Sequence, residues 1–212
     1  MQLQTGSTTR RQVMQLLKTN GELSTKELTS YLGITGMAVR RHIDALERDG
    51  FIESRTVRQA MGRPTALYRL TDLAEVHFPK NYHTVALDLL GELANSAGEE
   101  MVDHLFDLRK ETMYQKYVDM MQDKPFTDKV KLLADIQNEN GYMVELEQEG
   151  DRAYVLKEHN CPIAHIANQY NHACQCELSL FEQLLNADVT RSECLASGDA
   201  RCVYRIQHKM NT

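Results

Sequence analysis

The first seventy residues carry three helical patterns and a hairpin, each with its own start and stop signals. That punctuation leaves little freedom in how the segment folds. Behind Thr8 or Thr9, which can cap a helix, Val13, Leu16 and Leu17 recur at helical spacing, and Asn20-Gly21 stops the pattern. Ser24 with Glu27 three residues on reads as a capping box for a second helix, with Leu28 and Leu32 as its apolar stripe and Gly33 as its end. Thr35 opens a third helix through about Arg48, whose stripe is Val39, Ile43 and Leu46, closed by Asp49-Gly50. Two helices joined by a short Gly-containing turn have helix-turn-helix spacing. Phe51 to Arg55 then reads as a strand, Ala60-Met61-Gly62-Arg63-Pro64-Thr65 interrupts it, and Ala66 to Leu70 returns as a second strand. Helices followed by a basic hairpin make a winged helix-turn-helix.

Charge supports a division of labour. The 212 residues carry a net −6, yet residues 1–70 hold 11 Lys/Arg against 6 Asp/Glu, and the remainder holds 13 against 24. A basic N-terminal third on an acidic remainder suggests a nucleic-acid module carried by a second domain. With 42% apolar and 25% charged residues the composition is that of an ordinary globular chain. No apolar run is long enough to span a membrane, and MQLQTGSTTRR lacks the apolar core of a secretory signal. The expectation is a cytoplasmic protein without membrane partners, with reduced thiols.

The run AVRRHIDALERDGFIESR, followed by GRPTALYRLT, resembles the recognition helix and wing of DeoR- and ArsR-like bacterial regulators. Side chains opposite the Val39/Ile43/Leu46 stripe are expected to face the major groove of double-stranded DNA: Thr35, Met37, Arg40, Arg41 and His42. Arg63 at the wing tip would reach phosphate or minor groove. Arg55, Arg58 and Arg10 are expected phosphate contacts, which position rather than specify. A protein-interaction winged helix with a solvated basic face is the competing reading.

Residues 72–83 read as a polar linker around Pro79. Val85, Leu89, Leu90 and Leu93 follow a helical period ended at Ala97-Gly98, a longer amphipathic pattern runs from Glu99 to Met121, and another helix runs from Phe126 to Asn138. One of these is expected to pair two copies, because pseudo-palindromic operators want a two-fold homodimer. The pattern does not say which.

All five cysteines, Cys161, Cys174, Cys176, Cys194 and Cys202, fall in the last quarter of the chain, with His159, His165 and His172 among them. Thiolate and imidazole are ligands of zinc, copper and iron–sulfur clusters. Unrelated packed thiols are the bland alternative, since cysteine also packs as a small apolar residue. Tyr142–Glu147 and Ala153–Glu158 read as a hairpin, Pro162 opens a helical stretch, and Val189–Leu195 with Arg201–Ile206 close around Ser197-Gly198-Asp199, giving an α+β effector domain. On one straight helix Cys174 would point about 140° away from Cys161. A shared site therefore requires the helix to break, and Asn168-Gln169-Tyr170-Asn171-His172 is the expected place. Cys202 on the last strand can then meet both.

HNCPIAHIA, CQCELSLFEQLL and GDARCVYRI are similar to SufR-type iron–sulfur-sensing repressors, which couple such a winged helix to a C-terminal cysteine domain. The resemblance implies Cys161, Cys174 and Cys202 as ligands of an iron–sulfur cluster, [4Fe–4S] or related. It also implies control of DNA affinity by the cluster and iron–sulfur assembly genes as targets. The family's further cysteine is absent, and Asp188 stands near its place. The fourth ligand is then open among Asp188, His165, His172, Cys176 and an external thiol or solvent molecule, with Cys194 outside the set. The chain is accordingly read as α+β: a winged helix-turn-helix over 1–72, a helical linker and dimerisation region over 73–140, and a cysteine-rich effector domain over 141–212. A zinc- or small-ligand-sensing repressor is the alternative. A thiol-dependent enzyme with a Cys nucleophile and a His base is a minor one, because the chain has no Gly-rich phosphate loop and no nucleophile elbow.

Overall fold

The computed structural model describes residues 5–58, 62–150 and 152–209. It divides the chain into two compact units, 1–80 and 81–212. The architecture is α+β, with the helix-turn-helix in the first unit and a larger sheet in the second.

In the first unit, α1 (Thr5–Asn20) begins before the expected Thr8 or Thr9 cap. It is followed by β1 (Leu23–Ser24), α2 (Thr25–Leu32), α3 (Gly36–Arg48), β2 (Ile52–Val57) and β3 (Thr65–Leu70). The capping box forms: Ser24 Oγ accepts from Glu27 N at 3.3 Å, and Ser24 N donates to Glu27 Oε2 at 2.7 Å. Such a cap stabilises a helix by about 1 kcal/mol. Gly33 takes the left-handed conformation at φ 65° that ends α2, a turn an L side chain adopts only with strain. Val13, Leu17, Leu28, Val39, Ile43, Leu46 and Ile52 bury together as the core, so the three sequence stripes meet. The wing is antiparallel, with Ile52 opposite Leu70 and Val57 opposite Thr65. Of the expected loop at its tip, Ala60 and Met61 lie outside the described residues. β1 adds a third strand on the other side of β3.

The segment read as a polar linker is partly built into this unit. Asp72–His77 forms a 3-10 turn with Ala74 fully buried. Phe78 packs on the core, His77 meets Phe51 edge-on at 4.4 Å, and Glu75 pairs with both Lys18 and Lys80. Burial of two small apolar groups outweighs a sequence that looks solvent-loving.

The second unit opens with α4 (Tyr82–Ala97), α5 (Glu99–Met121) and α6 (Phe126–Glu139). Then come β4 (Val144–Glu149), β5 (Ala153–Glu158), α7 (Ala164–Ala167), α8 (His172–Leu185), β6 (Ala187–Glu193) and β7 (Cys202–His208). The strands form one antiparallel sheet in the order β4-β5-β7-β6. Alternate residues Tyr154, Leu156, Tyr204 and Ile206 bury one face of this sheet against Leu180, Phe181, Leu184 and Leu185 of α8 and Val130 and Leu133 of α6. Phe181 and Tyr204 pack edge-to-face with ring centres 5.0 Å apart. α4 to α6 thus share one compact unit with the sheet. The helix break falls where Asn and His weaken the helix: α7 ends at Ala167 and α8 starts at His172.

Candidate functional site

Two groups of side chains stand out, one in each unit. In the first, Thr35 caps α3, its Oγ1 accepting from Ala38 N at 3.3 Å, so its hydroxyl is already engaged. Met37 is 83% exposed, and Arg40 and Arg41 are exposed beside it, opposite buried Val39, Ile43 and Leu46. His42 is half-buried. Burial, with Arg41 and Arg10 next to it, pushes its pKa down and favours the neutral ring. Arg63 and Arg58 are exposed on the wing.

Two expected phosphate contacts are tied up. Arg55 makes a forked pair with Glu22, with Nε 2.8 and 2.9 Å from its two carboxylate oxygens, and Arg10 pairs with Asp49 at 3.3 Å. The unit's ion pairs among the described residues use Arg10, Lys18, Arg55, Arg69 and Lys80, which leaves Arg40, Arg41 and Arg63 unpaired. With exposed Arg11, Lys26, Arg48 and Arg58, which are also outside those pairs, they form the available cationic surface.

In the second unit, Cys161 precedes α7, Cys174 lies in the first turn of α8, and Cys202 begins β7. The fourth thiol beside them is Cys194, at the end of β6. Glu193 pairs with Val203 across a bulge in β6, which brings Cys194 level with Cys202. The turn between them is tightly bonded: Cys194 N donates to Asp199 Oδ2 at 2.7 Å, and Cys194 O accepts from Ser197 N at 2.9 Å and Asp199 N at 3.2 Å. Leu195 N donates to Cys202 Sγ at 3.4 Å, and Arg191 Nη1 donates to Cys174 O at 2.9 Å. The Cys174 thiol donates to the Cys194 sulfur.

Cys174, Cys194 and Cys202 are buried in one core, and Cys161 is half-buried. Burial pushes the Cys161 thiol up to about 11 and Cys174 and Cys202 up to about 12. Cys194 goes the other way. Burial opposes its ionisation, but the Ala196 amide, the Arg191 guanidinium and the Cys174 and Ser197 side chains outweigh it. Cys194 is therefore the natural first thiolate of the group. The bulge and the short turn place it across from Cys202, beside the expected ligands from which the sequence reading set it apart.

The other expected fourth ligands lie elsewhere. Asp188 is exposed and pairs with Gln207, five residues along β7 from Cys202. At about 3.3 Å per residue that is roughly 17 Å, beyond any shared ligation. His165 is exposed and stacks on His83 with ring centres 4.5 Å apart. His172 and Cys176 sit against Asp107 on α5, with Cys176 Sγ donating to Asp107 Oδ1 at 3.5 Å. Burial, then Asp107, pushes the Cys176 thiol up to about 11. Cys174 and Cys176, two residues apart, join different cores because successive even positions on a helix point to different sides.

Two buried carboxylates lie beneath the thiols and have no counterpart in the sequence reading. Glu158, fully buried, pairs in register with Cys202, and its Oε1 accepts from Gln137 Nε2 at 2.8 Å. Glu177 accepts from Tyr204 Oη at 2.8 Å. Burial raises both, and Glu158, with Glu177 next to it, is pushed up to about 9.

Donor chemistry and placement fit a thiolate-bound cofactor. A single tetrahedral zinc, with Zn–S near 2.3 Å, draws its sulfurs to about 3.8 Å of one another. Among the described residues the only three ligand groups gathered within 4.8 Å are Asp107, His172 and Cys176.

Residues 9–60 match the family model described as an HTH domain. No curated protein matches the chain. Among solved structures, the chain is similar to Bacillus subtilis PadR in complex with operator DNA, at 18% identity over 84% of this chain and 98% of that one, with TM-score 0.30. It is also similar to a trafficking protein particle complex subunit 3 from Naegleria fowleri covalently bound to palmitic acid, at 11% identity over 60% and 95%, with TM-score 0.37. An H-NOX from Shewanella woodyi aligns at 14% identity over 97% and 94%, with TM-score 0.36. All three superpose loosely. No helix is long and apolar enough to cross a membrane. With α2 and α3 joined by the Gly33 turn, the HTH family match over both, and the β2–β3 hairpin following them, the N-terminal unit is a winged helix-turn-helix domain.

Proposed function

We propose that the protein is a DNA-binding transcriptional regulator, a repressor by sign, whose C-terminal thiols bind an iron–sulfur cluster that sets its DNA affinity. The observation that carries this is that Cys174, Cys194 and Cys202 are buried in one core, with Cys161 on the loop before α7, in a chain whose other unit is a winged helix-turn-helix. A cluster held there would supply a redox- and oxygen-sensitive tie between the β6–β7 turn and the start of α8. The resemblance to SufR-type repressors points to iron–sulfur assembly genes as targets. Binding can shift DNA affinity only by favouring one arrangement of the protein over another. The thiols suit that task because they lie on a loop, a helix start and a hairpin, so ligation would tie three elements together. Brown anaerobically purified protein, with iron and sulfide in comparable amounts, supports this reading. Colourless protein without either overturns it.

DNA contact is assigned to Arg40, Arg41 and Arg63. Arg41→Ala is expected to weaken specific binding by ~1–3 kcal/mol if it reads a base edge. Arg63→Ala, on the backbone or minor groove, is expected to weaken binding across sequences and to lower the salt slope by about one. Unchanged gel-shift affinity at fixed salt for Arg40→Ala, Arg41→Ala and Arg63→Ala would sink the assignment.

The functional unit is a homodimer on a pseudo-palindromic site. α4 supports this: none of its residues is buried, while Tyr82, Val85 and Leu89 present an exposed apolar stripe. A second copy is the occupant that a two-fold operator requires. Leu89→Glu should convert a dimer to a monomer in light scattering. A monomeric wild type, free and on DNA, contradicts the proposal.

A further inference from the structure

We infer a second metal site in this chain, formed by Asp107, His172 and Cys176, that takes a zinc-class divalent cation. It is independent of the iron–sulfur reading and uses none of the four thiols assigned there.

The geometry comes from two helices. His172 and Cys176 are one turn apart on α8 and so share a face. Asp107 projects from α5, which packs along α8. The three ligand atoms lie within 4.8 Å of one another. His172 Nε2 is 3.4 Å from Asp107 Oδ1, and Cys176 Sγ is 3.5 Å from the same oxygen. A tetrahedral zinc, with bonds near 2.1 Å to N and O and near 2.3 Å to S, sets N and O about 3.4 Å apart and S and O about 3.6 Å apart. The cation-free side chains already stand close to those separations.

One atom lacks a well-formed hydrogen bond. His172 Nε2 is buried and without a hydrogen-bond partner, although a carboxylate oxygen lies 3.4 Å away. A nitrogen lone pair and a carboxylate turned toward one point is a ligand arrangement. Lys110 Nζ, 3.6 Å from Asp107 Oδ1, balances the carboxylate until a cation takes it. The N/O/S donor set selects zinc or a neighbouring borderline metal over magnesium or calcium, which want oxygen alone.

Access and a fourth position are present. A cavity of about 630 Å³, lined by Glu99, Asp103, Asn171, His172 and Gln175, opens onto the site. Asp103, one turn before Asp107 on α5, or solvent can complete the shell. Occupation would staple α5 to the first turn of α8, the turn that also carries Cys174.

The test uses the full chain carrying Cys161→Ser, which disables the thiol group, compared with the same chain carrying His172→Ala, Cys176→Ala or Asp107→Asn in addition. Each is stripped with chelator under reducing conditions and titrated with cobalt(II), then zinc. The expected result for Cys161→Ser alone is one tight equivalent, a thiolate-to-cobalt charge-transfer band, tetrahedral visible bands and a higher Tm with zinc. Each added substitution should weaken binding at least about tenfold, and Cys176→Ala should remove the charge-transfer band. Folding is checked by the metal-free Tm of each protein. Equal stoichiometry and spectra in all four proteins overturn the inference, as does a parent chain that binds no metal. Because iron and sulfide are not read here, failure leaves the iron–sulfur reading to its own test.

Discussion

Serine at Cys161, Cys174, Cys194 or Cys202 is expected to cost the anaerobically purified protein most of its iron and sulfide, while serine at Cys176 leaves both in place. A hydroxyl is a poor substitute for a thiolate, and losing one ligand leaves an iron open to water and oxygen. Cys194 is the decisive position. Reasoning from spacing leaves it out, whereas the fold puts it opposite Cys202 with its sulfur accepting from Cys174. Its lowered pKa makes it the first thiol ready to bind metal, since a ligand must shed its proton and the other three are held protonated by burial. Iron and sulfide per chain, with the visible spectrum, read the outcome. Retention in Cys194→Ser alone would restrict the ligands to Cys161, Cys174 and Cys202. Retention in all five variants would remove the cofactor from the account.

The different fates of Cys194 and Asp188 show where sequence reading stops. The winged domain was legible because its information is local: the Ser24/Glu27 box, the Gly33 turn and the Val39/Ile43/Leu46 stripe each act within a few residues. The helix break before His172 was legible for the same reason. The thiol partners were not, because they depend on register. A single bulge between Arg191 and Glu193 decides that Cys194 faces Cys202, and strand direction decides that Asp188 sits at the far end. The hairpin around Ser197-Gly198-Asp199 did contain a usable signal, since residues flanking a short turn must be neighbours. Asp107 carried none: its meeting with His172 and Cys176 joins positions 65 or more residues apart through the packing of two helices. Glu158 likewise looked like the polar end of a strand and proved fully buried.

That burial gives a pH signature. Glu158 is pushed up to about 9 by burial and by Glu177, from an ordinary value near 4.5 that the unfolded chain restores. Between those two values the folded protein holds a proton that the unfolded chain has released, so stability is fully present below about pH 4.5 and is lost as pH rises toward 9. Each unit of pH inside the window costs at most about 1.4 kcal/mol per group, which makes the loss by pH 8 on the order of a few kcal/mol. Glu158→Gln keeps the shape and the acceptor for Gln137 Nε2 but cannot ionise. It is expected to be close to the wild type at pH 5 and the more stable protein at pH 8, in urea unfolding of cofactor-free, reduced protein. The slope that persists in Glu158→Gln belongs to the other shifted groups: Glu177, whose carboxyl burial also raises, and Cys194 and His42, which are lowered. The thiols at Cys161, Cys174 and Cys202 do not confuse the comparison, because their ordinary and raised values both lie at 9 or above. Parallel stability curves for the two proteins from pH 5 to pH 8 would show that Glu158 is ionised in the folded chain, and that the strand position opposite Cys202 carries a fixed negative charge instead of a proton.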